Sequence, residues 1–484
     1  MSLQTTFFSS WRSIFGGRRA RRGQSETESR FGAMTRTFGQ HLPKDALAAT
    51  QGGAHSRRRL FSLENTFWVF LWQVLSPASA CREAVRQFQA WWRALGHPSA
   101  SASTAAYCQA RARLALATLQ NLGVVLATKL QRNVRHAELW LGRRVTLLDG
   151  SGLSMPDTPA NQARWPQWGN QAPGCGFPTM RLVALFCLAS GALLRYAVGN
   201  KHQHENHLVR ELCAALEESD LVLADRGFCS FGLLAVLGAR KIDAVVRLHH
   251  LRRQDFRRGR RLGPDDRVMT WQRPGARPND PWQSELAARP ATLQVRLIRF
   301  RVAVPGFRTH AITLATTLLD AQRFSARALA ELYRRRWEIE THYREFKITT
   351  GADVLRCRTP RMIEKELAMH VIGYNLVRAV MQESAHLHHI DLRTLSFKGA
   401  LDTLRQFAEV IQVAQTRPQR QRQLYDQLLE IIAHDLLPTR PNRHEPRATK
   451  RRPKEYPRLT KPRRLMRFPR RDRSRSQRSQ KGLS

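Results

Sequence analysis

Acidic side chains are scarce in this chain. Against 80 Lys and Arg it sets only 38 Asp and Glu in 484 residues, a formal net charge of +42. Solubility needs far less, so the excess predicts a polyanionic partner, with nucleic acid the first candidate. Long apolar runs are missing too. The best, LFSLENTFWVFLWQVL, is broken by Glu64 and Asn65, whereas a membrane span needs about 18 uninterrupted apolar residues. No membrane partner is expected. The first residues, MSLQTTFFSSWRSIFGGRRARR, hold no apolar stretch long enough for a signal peptide. Cysteine is thin and unpatterned: Cys81, Cys108, Cys175, Cys187, Cys213, Cys229 and Cys357 include no CxxC pair. An odd count without metal spacing argues for free thiols in a reducing compartment. The expected location is the cytoplasm, on the nucleoid.

What is present is 42% hydrophobic content, enough for a large core and two or three domains. Residues 1–58 read as a flexible basic arm, with Arg18, Arg19, Arg21 and Arg22 as phosphate contacts. From 59 to 140 the periodicity is helical. Ser79 can cap a helix that stops at Gly96, and a second helix begins near Ser103 and carries Arg111, Arg113, Lys129 and Arg132. Such a bundle suits DNA-end binding, or simply packs on its neighbour.

From Arg144 the period shortens. VTLLDG reads as a buried strand ending at Asp149, and MRLVALFCLASGALLRYAVGN as a hairpin turning at Ser190-Gly191. A helix over 205–217, a buried strand DLVLAD ending at Asp225, a helix near 230–238 and a strand over 242–248 complete 141–248. Residues 249–320 alternate polar and apolar positions (RVMTWQ, TLQVRLIRFRVAV, RTHAITLATTLL) and read as an all-β insertion. Two helices fill 321–384 and a helical region 385–437. The tail, 438–484, is basic: eighteen Lys and Arg against three acids in 440–484 cannot bury a core. This order of elements is that of a ribonuclease-H-like α/β fold with an all-β insertion before its last catalytic helix.

That helix, SARALAELYRRRWEIETHYREFKITTG (325–351), carries the chemistry. Ser325 is its N-cap and Gly351 its stop. An advance of about 100° per residue puts Tyr333, Arg336, Glu340 and Lys347 in one narrow strip, beside an apolar stripe of Leu332, Ile339 and Phe346. Phosphodiester chemistry can use a carboxylate for metal and cations for phosphate oxygens. The plain alternative is a surface ion pair, since Arg336 and Glu340 are four residues apart.

The spacing of Tyr333, Arg336, Glu340 and Lys347, with Trp337 directly after the arginine, resembles the Tyr-Arg-Glu-Lys motif of a family of bacterial insertion-sequence transposases, the DDE type founded on insertion sequence four. LLDGSGLSMPDTPAN looks like that family's first-aspartate region and LVLADRGF like its second. GFPTMRLVALFCLASG, MTWQRP and LRCRTPRMIEKELAMHVIGYNLVRA are also similar, and the likeness runs from about residue 60 to 410. It implies a metal-dependent DNA transposase that cleaves the ends of its own element and transfers the strand into target DNA by in-line attack. Asp149, Asp225 and Glu340 would hold two Mg²⁺ ions about 3.5–4 Å apart, with Mn²⁺ a substitute. Tyr333, Arg336 and Lys347 become DNA contacts near the cut, with Trp337 and Arg226 beside them. Trp271 can stack on an unpaired base or pack inside the insertion. The partners implied are terminal inverted repeats, target DNA and a second copy of the chain, with no small-molecule substrate. The alternative is a catalytically inactive relative that binds ends and represses transposition.

Singly, each residue has a plainer reading: Asp149 can cap a turn at a strand end, and Asp157 belongs to a turn with Pro156 and Pro159. The cluster His202, His204, Glu205 and His207 invites a zinc site, but a loop-to-helix position does not supply the orientation that zinc demands.

Overall fold

A computed structural model describes residues 38–42, 60–77, 80–94, 96–169, 171–252, 255–275, 281–302, 310–414, 417–438, 459–462 and 465–466. Most of the N-terminal arm, the Ser79 cap and most of the basic tail lie outside them. Phe38, His41 and Leu42, in the span read as an arm, are buried.

Within these residues the chain enters through α1 (Leu63–Leu75), α2 (Cys81–Ala94), α3 (Ala105–Arg113) and α4 (Leu116–Arg132). Ser62 caps α1, its hydroxyl accepting from the Asn65 N–H. Where one helix was expected from Ser103, two form. Leu114 and Ala115 leave helical geometry, with ψ of 128° and 129°.

The central segment follows as β1 (Val145–Ser154), α5 (Pro159–Arg164), β2 (Thr179–Cys187), β3 (Leu193–Gly199), α6 (Glu205–Leu212), β4 (Leu221–Ala224), α7 (Phe231–Ala239) and β5 (Asp243–Arg247). The hairpin turns through Gly191, whose φ of +68° suits glycine. A side chain there would also strike the Arg378 guanidinium, 2.8 Å from an ideal Cβ. β1 pairs antiparallel with β2 and parallel with β4, and β4 runs parallel to β5. All four residues of β4 are buried, as expected of a strand covered on both faces.

β6 (Arg260–Gly263), β7 (Asp266–Gln272), the one-turn α8 (Gln283–Leu286), β8 (Thr292–Val302) and β9 (His310–Thr316) come next. This segment is not all-β, because α8 interrupts it. Nor does it stand apart. β9 pairs antiparallel with β5, so the described strands form one sheet in the order β3-β2-β1-β4-β5-β9-β8-β7-β6. Inside the insertion, Arg296 is fully buried and donates to Asp266 from Nε at 2.8 Å and to the Phe324 carbonyl at 2.7 Å.

The motif stretch forms α9 (Ala326–Arg334) and α10 (Glu338–Arg344), followed by α11 (Pro360–Leu387), α12 (Phe397–Val413) and α13 (Pro418–His434). Helices from both ends of the chain pack on α11. Gly373 lets α1 approach so closely that a Cβ would stand 2.9 Å from Leu75.

Candidate active site

β4 stops at Ala224, opposite Leu148 of β1, and β1 continues past it to Ser154, which bridges to Val354. The register Leu148↔Ala224 therefore sets the next residues, Asp149 and Asp225, side by side on neighbouring parallel strands. Backbones paired in this way lie about 4.8 Å apart. Asp149 was expected at a strand end, but β1 runs five residues further, held by β2 from Asp149↔Ala184 to Ser154↔Thr179. The carboxyl edge of adjacent parallel strands is where α/β sheets place their ligands.

Across this edge runs the motif stretch. Ser325 caps it, its hydroxyl accepting from Ala328 N–H at 3.1 Å, and Gly351 ends it at φ +80°. Leu332, Ile339 and Phe346 are at most 1% exposed, so the apolar stripe is the docked face. The helix is continuous but not regular. A 3₁₀ turn, Arg335–Trp337, and a π turn, Glu345–Thr349, shift its phase from the assumed even advance.

Four side chains tie it to the strands. Tyr333 donates its hydroxyl to the Ala224 carbonyl at 3.3 Å, and Tyr343 to the Asp149 carbonyl at 2.7 Å. Lys347 donates to the Ser151 hydroxyl at 3.0 Å. Arg336 is buried with Nη1 3.8 Å from an Asp149 carboxylate oxygen, close enough for attraction but beyond a hydrogen bond. Its guanidinium lies 5.8 Å from the Tyr333 ring centre and 5.5 Å from that of Trp337, and its Nε has no hydrogen-bond partner among the described residues. The arginine is thus held in place while only loosely committed to Asp149.

Burial pushes the Asp149 carboxyl up to about 6. The Gly150 N–H and Arg336 oppose this, and the nearby acids Asp225 and Glu205 add to it. Burial also lowers the Lys347 ammonium. Glu340 is exposed, one turn past Arg336 on the helix that crosses β1. Nothing among the described residues donates a hydrogen bond to the side chain of Asp225 or Glu340. The structure brings Asp149, Asp225 and Arg336 together, but not Glu340 as a closed third ligand. Among the described residues no three of His, Cys, Asp or Glu gather closely enough to hold a metal ion.

The donors at Asp149 and Asp225 are oxygens alone, without thiolate or imidazole, and their negative charge is incompletely compensated. Both features fit a hard divalent cation such as Mg²⁺. The zinc reading finds no such support: His204 caps α6, its Nδ1 accepting from Asn206 N–H at 3.3 Å, and His202 and His207 are exposed. Trp337 is 63% exposed beside Arg336, and Arg226 is exposed next to Asp225. Trp271 is different. It is buried, with the Arg252 guanidinium 3.8 Å from its ring centre, so it packs within the insertion and offers no open face to a base. Sequence reasoning missed Tyr343, which an even helical advance places between the strip and the apolar stripe, and Glu205, which it weighed only as a zinc ligand.

Residues 140–376 match the Transposase DDE domain family. The transposase InsG for insertion sequence element IS4 of Escherichia coli (strain K12) is 28% identical over 429 residues, 87% of this chain and 93% of that protein. A solved structure of piggyBac transposase in a synaptic complex with hairpin DNA aligns over 87% of this chain and 90% of its own, at 10% identity and a TM-score of 0.41. That likeness is too loose to add to the assignment. The domain match and the relative agree with the residues at the sheet edge: the chain carries a Transposase DDE domain and is a DNA transposase, similar over most of its length to that of insertion sequence four.

Proposed function

We propose that Asp149, Asp225 and Glu340 are the catalytic acids of this transposase and that they hold Mg²⁺, for which Mn²⁺ can substitute. The observation that carries this is the register setting Asp149 beside Asp225 under the helix that bears Arg336, Glu340 and Lys347. A pair of divalent ions would activate the attacking oxygen, stabilise the charge on phosphorus and assist the leaving oxygen. Glu340 lies in the chain between Arg336 and Tyr343, both of which approach Asp149, and this placement supports it as the third acid.

The remaining roles follow from placement. Arg336 and Lys347 meet phosphate oxygens flanking the cut, and Tyr333 and Tyr343 hold the helix against the strands. Exposed Trp337 and Arg226 contact the DNA end. The four motif positions make the chain a member of the Tyr-Arg-Glu-Lys subclass. Strands β1 to β5, with β1 and β4 parallel at the centre, support a ribonuclease-H-like core carrying the insertion on β5. The helical segment 59–140 serves element-end binding, and two ends call for two protomers. The basic chain works on the nucleoid, in the cytoplasm. An inactive, repressing relative is not favoured, because all three acids are present.

The test is incubation of the purified protein with DNA bearing the element's terminal repeat, with and without Mg²⁺, followed by strand mapping. Cuts at the element boundary that require Mg²⁺ and vanish in Asp149→Ala are expected. Unchanged cutting by that variant would remove Asp149 from the site.

A further inference from the structure

We infer that Glu205, which stands outside the three-acid motif, is a fourth acidic residue of this site, positioning the water shell of the divalent cation that Asp149 and Asp225 hold. The inference rests on the proposed ion site at that pair of aspartates. Glu205 opens α6, and a carboxylate in a first helical turn is favourable on its own account. A residue serving the helix alone could leave its carboxylate in solvent. Instead the carboxylate lies over Gly150, the neighbour of Asp149. A Cβ on that glycine would stand 2.6 Å from Oε1 of Glu205 and 2.7 Å from its Cδ. Gly150 sits within β1, paired with Val183, and its φ makes no demand for glycine. Its missing side chain provides room for Glu205.

The approach is electrostatically unfavourable as it stands. In a chain with 80 Lys and Arg, none of the described residues pairs with Glu205 or donates a hydrogen bond to it. Acids packed together without compensation are tolerated where a cation arrives. Mg²⁺ keeps several of its waters, so a carboxylate beyond direct coordination still orients that shell. This agrees with the lack of a closed ligand cluster among the described residues.

The experiment titrates the full chain with Mg²⁺ or Mn²⁺ alone, without DNA, and reads the melting temperature. Wild type, Asp149→Asn, Glu205→Gln and Gly150→Ala are compared, with end binding in EDTA measured in parallel. In wild type the metal should raise the melting temperature, and Asp149→Asn should abolish the rise. Glu205→Gln should move half-saturation upward by about tenfold or more, the usual effect of losing an outer-shell partner. End binding without metal should be unchanged, and added Mg²⁺ should rescue cleavage. Gly150→Ala, which displaces the Glu205 carboxylate without removing it, should give the same shift and replaces Glu205→Gln if that variant does not fold. Wild-type half-saturation in both variants, with the response still lost in Asp149→Asn, overturns the role of Glu205 alone. Wild-type titration by Asp149→Asn overturns the ion site itself.

Discussion

At the scale of single residues the site is an arrangement of unequal commitments. Asp149 is engaged by backbone and cation alike, while Asp225 and Glu340 have no side-chain hydrogen-bond donor among the described residues. Tyr343 fixes the position of Asp149 by donating to its carbonyl at 2.7 Å. Tyr343→Phe should therefore cost about 1 kcal/mol of stability, the usual net worth of such a bond, read by denaturant unfolding. It should also slow end cleavage without weakening end binding. A variant that cuts at the wild-type rate would show that this anchor is dispensable. Lys347 is held on Ser151 with its ammonium free to meet phosphate. Lys347→Ala should weaken end binding and lower the slope of log affinity against log salt by about 1, as for one lost phosphate contact. The two aspartates were legible in the sequence because short apolar runs lead into each of them. Glu205 was not: its reach over Gly150 depends on how α6 docks on β1, and its histidine neighbours suggest a different chemistry.

At the scale of elements, what could be read was local and what could not was a matter of partners. Ser325 and Gly351 bounded the motif helix correctly because capping is local chemistry. Its 3₁₀ and π turns were invisible, since neither Arg335–Trp337 nor Glu345–Thr349 contains the proline or glycine that would announce them. The stretch after Asp149 reads as loop because Gly150, Ser151 and Gly152 have weak strand preference. Pairing with β2 keeps it extended. The insertion's alternation was plain, but not that β9 would pair with β5. Its link to the motif helix is the buried Arg296, bonded to Asp266 and to the carbonyl just ahead of Ser325. Asp266→Ala leaves that guanidinium uncompensated and should cost about 3–5 kcal/mol, which Arg296→Met in the same chain should largely restore. Equal losses in the single and double variants would contradict the pairing.

α11 adds a pH dependence. Burial, helped by Arg356, lowers His370 to about 3, and its Nδ1 lies 3.4 Å from the Thr350 hydroxyl. An unfolded histidine takes a proton near 6.5 that the folded one refuses. Stability from this group is full above about 6.5 and falls as pH drops toward 3, by about 2 kcal/mol at pH 5. His370→Gln should flatten that part of the pH–stability curve. An unchanged slope would show that His370 is not its source.

At the scale of the whole molecule, charge and topology point to the same partner. A net charge of +42 supplies sequence-independent attraction to DNA, and the sheet edge is the proposed place of phosphodiester cleavage. End affinity should fall steeply and linearly with log salt, and a flat dependence would contradict a phosphate-dominated interface. No helix among the described residues is long and apolar enough to cross a membrane. The charge and the two aspartate-bearing strands were readable from the chain itself, because composition and short apolar runs survive without tertiary information. The single sheet and the shared helical core around α11 were not, since both depend on contacts between segments far apart in sequence.

The most direct measurement is strand mapping of terminal-repeat DNA by wild type, Asp149→Ala, Asp225→Ala and Glu340→Ala, each with and without Mg²⁺, with end binding measured in the same samples. Mg²⁺-dependent cutting at the element boundary by wild type alone, with binding retained in all four proteins, is the predicted result. Cutting at the wild-type rate by any of the three variants would contradict the shared acidic site.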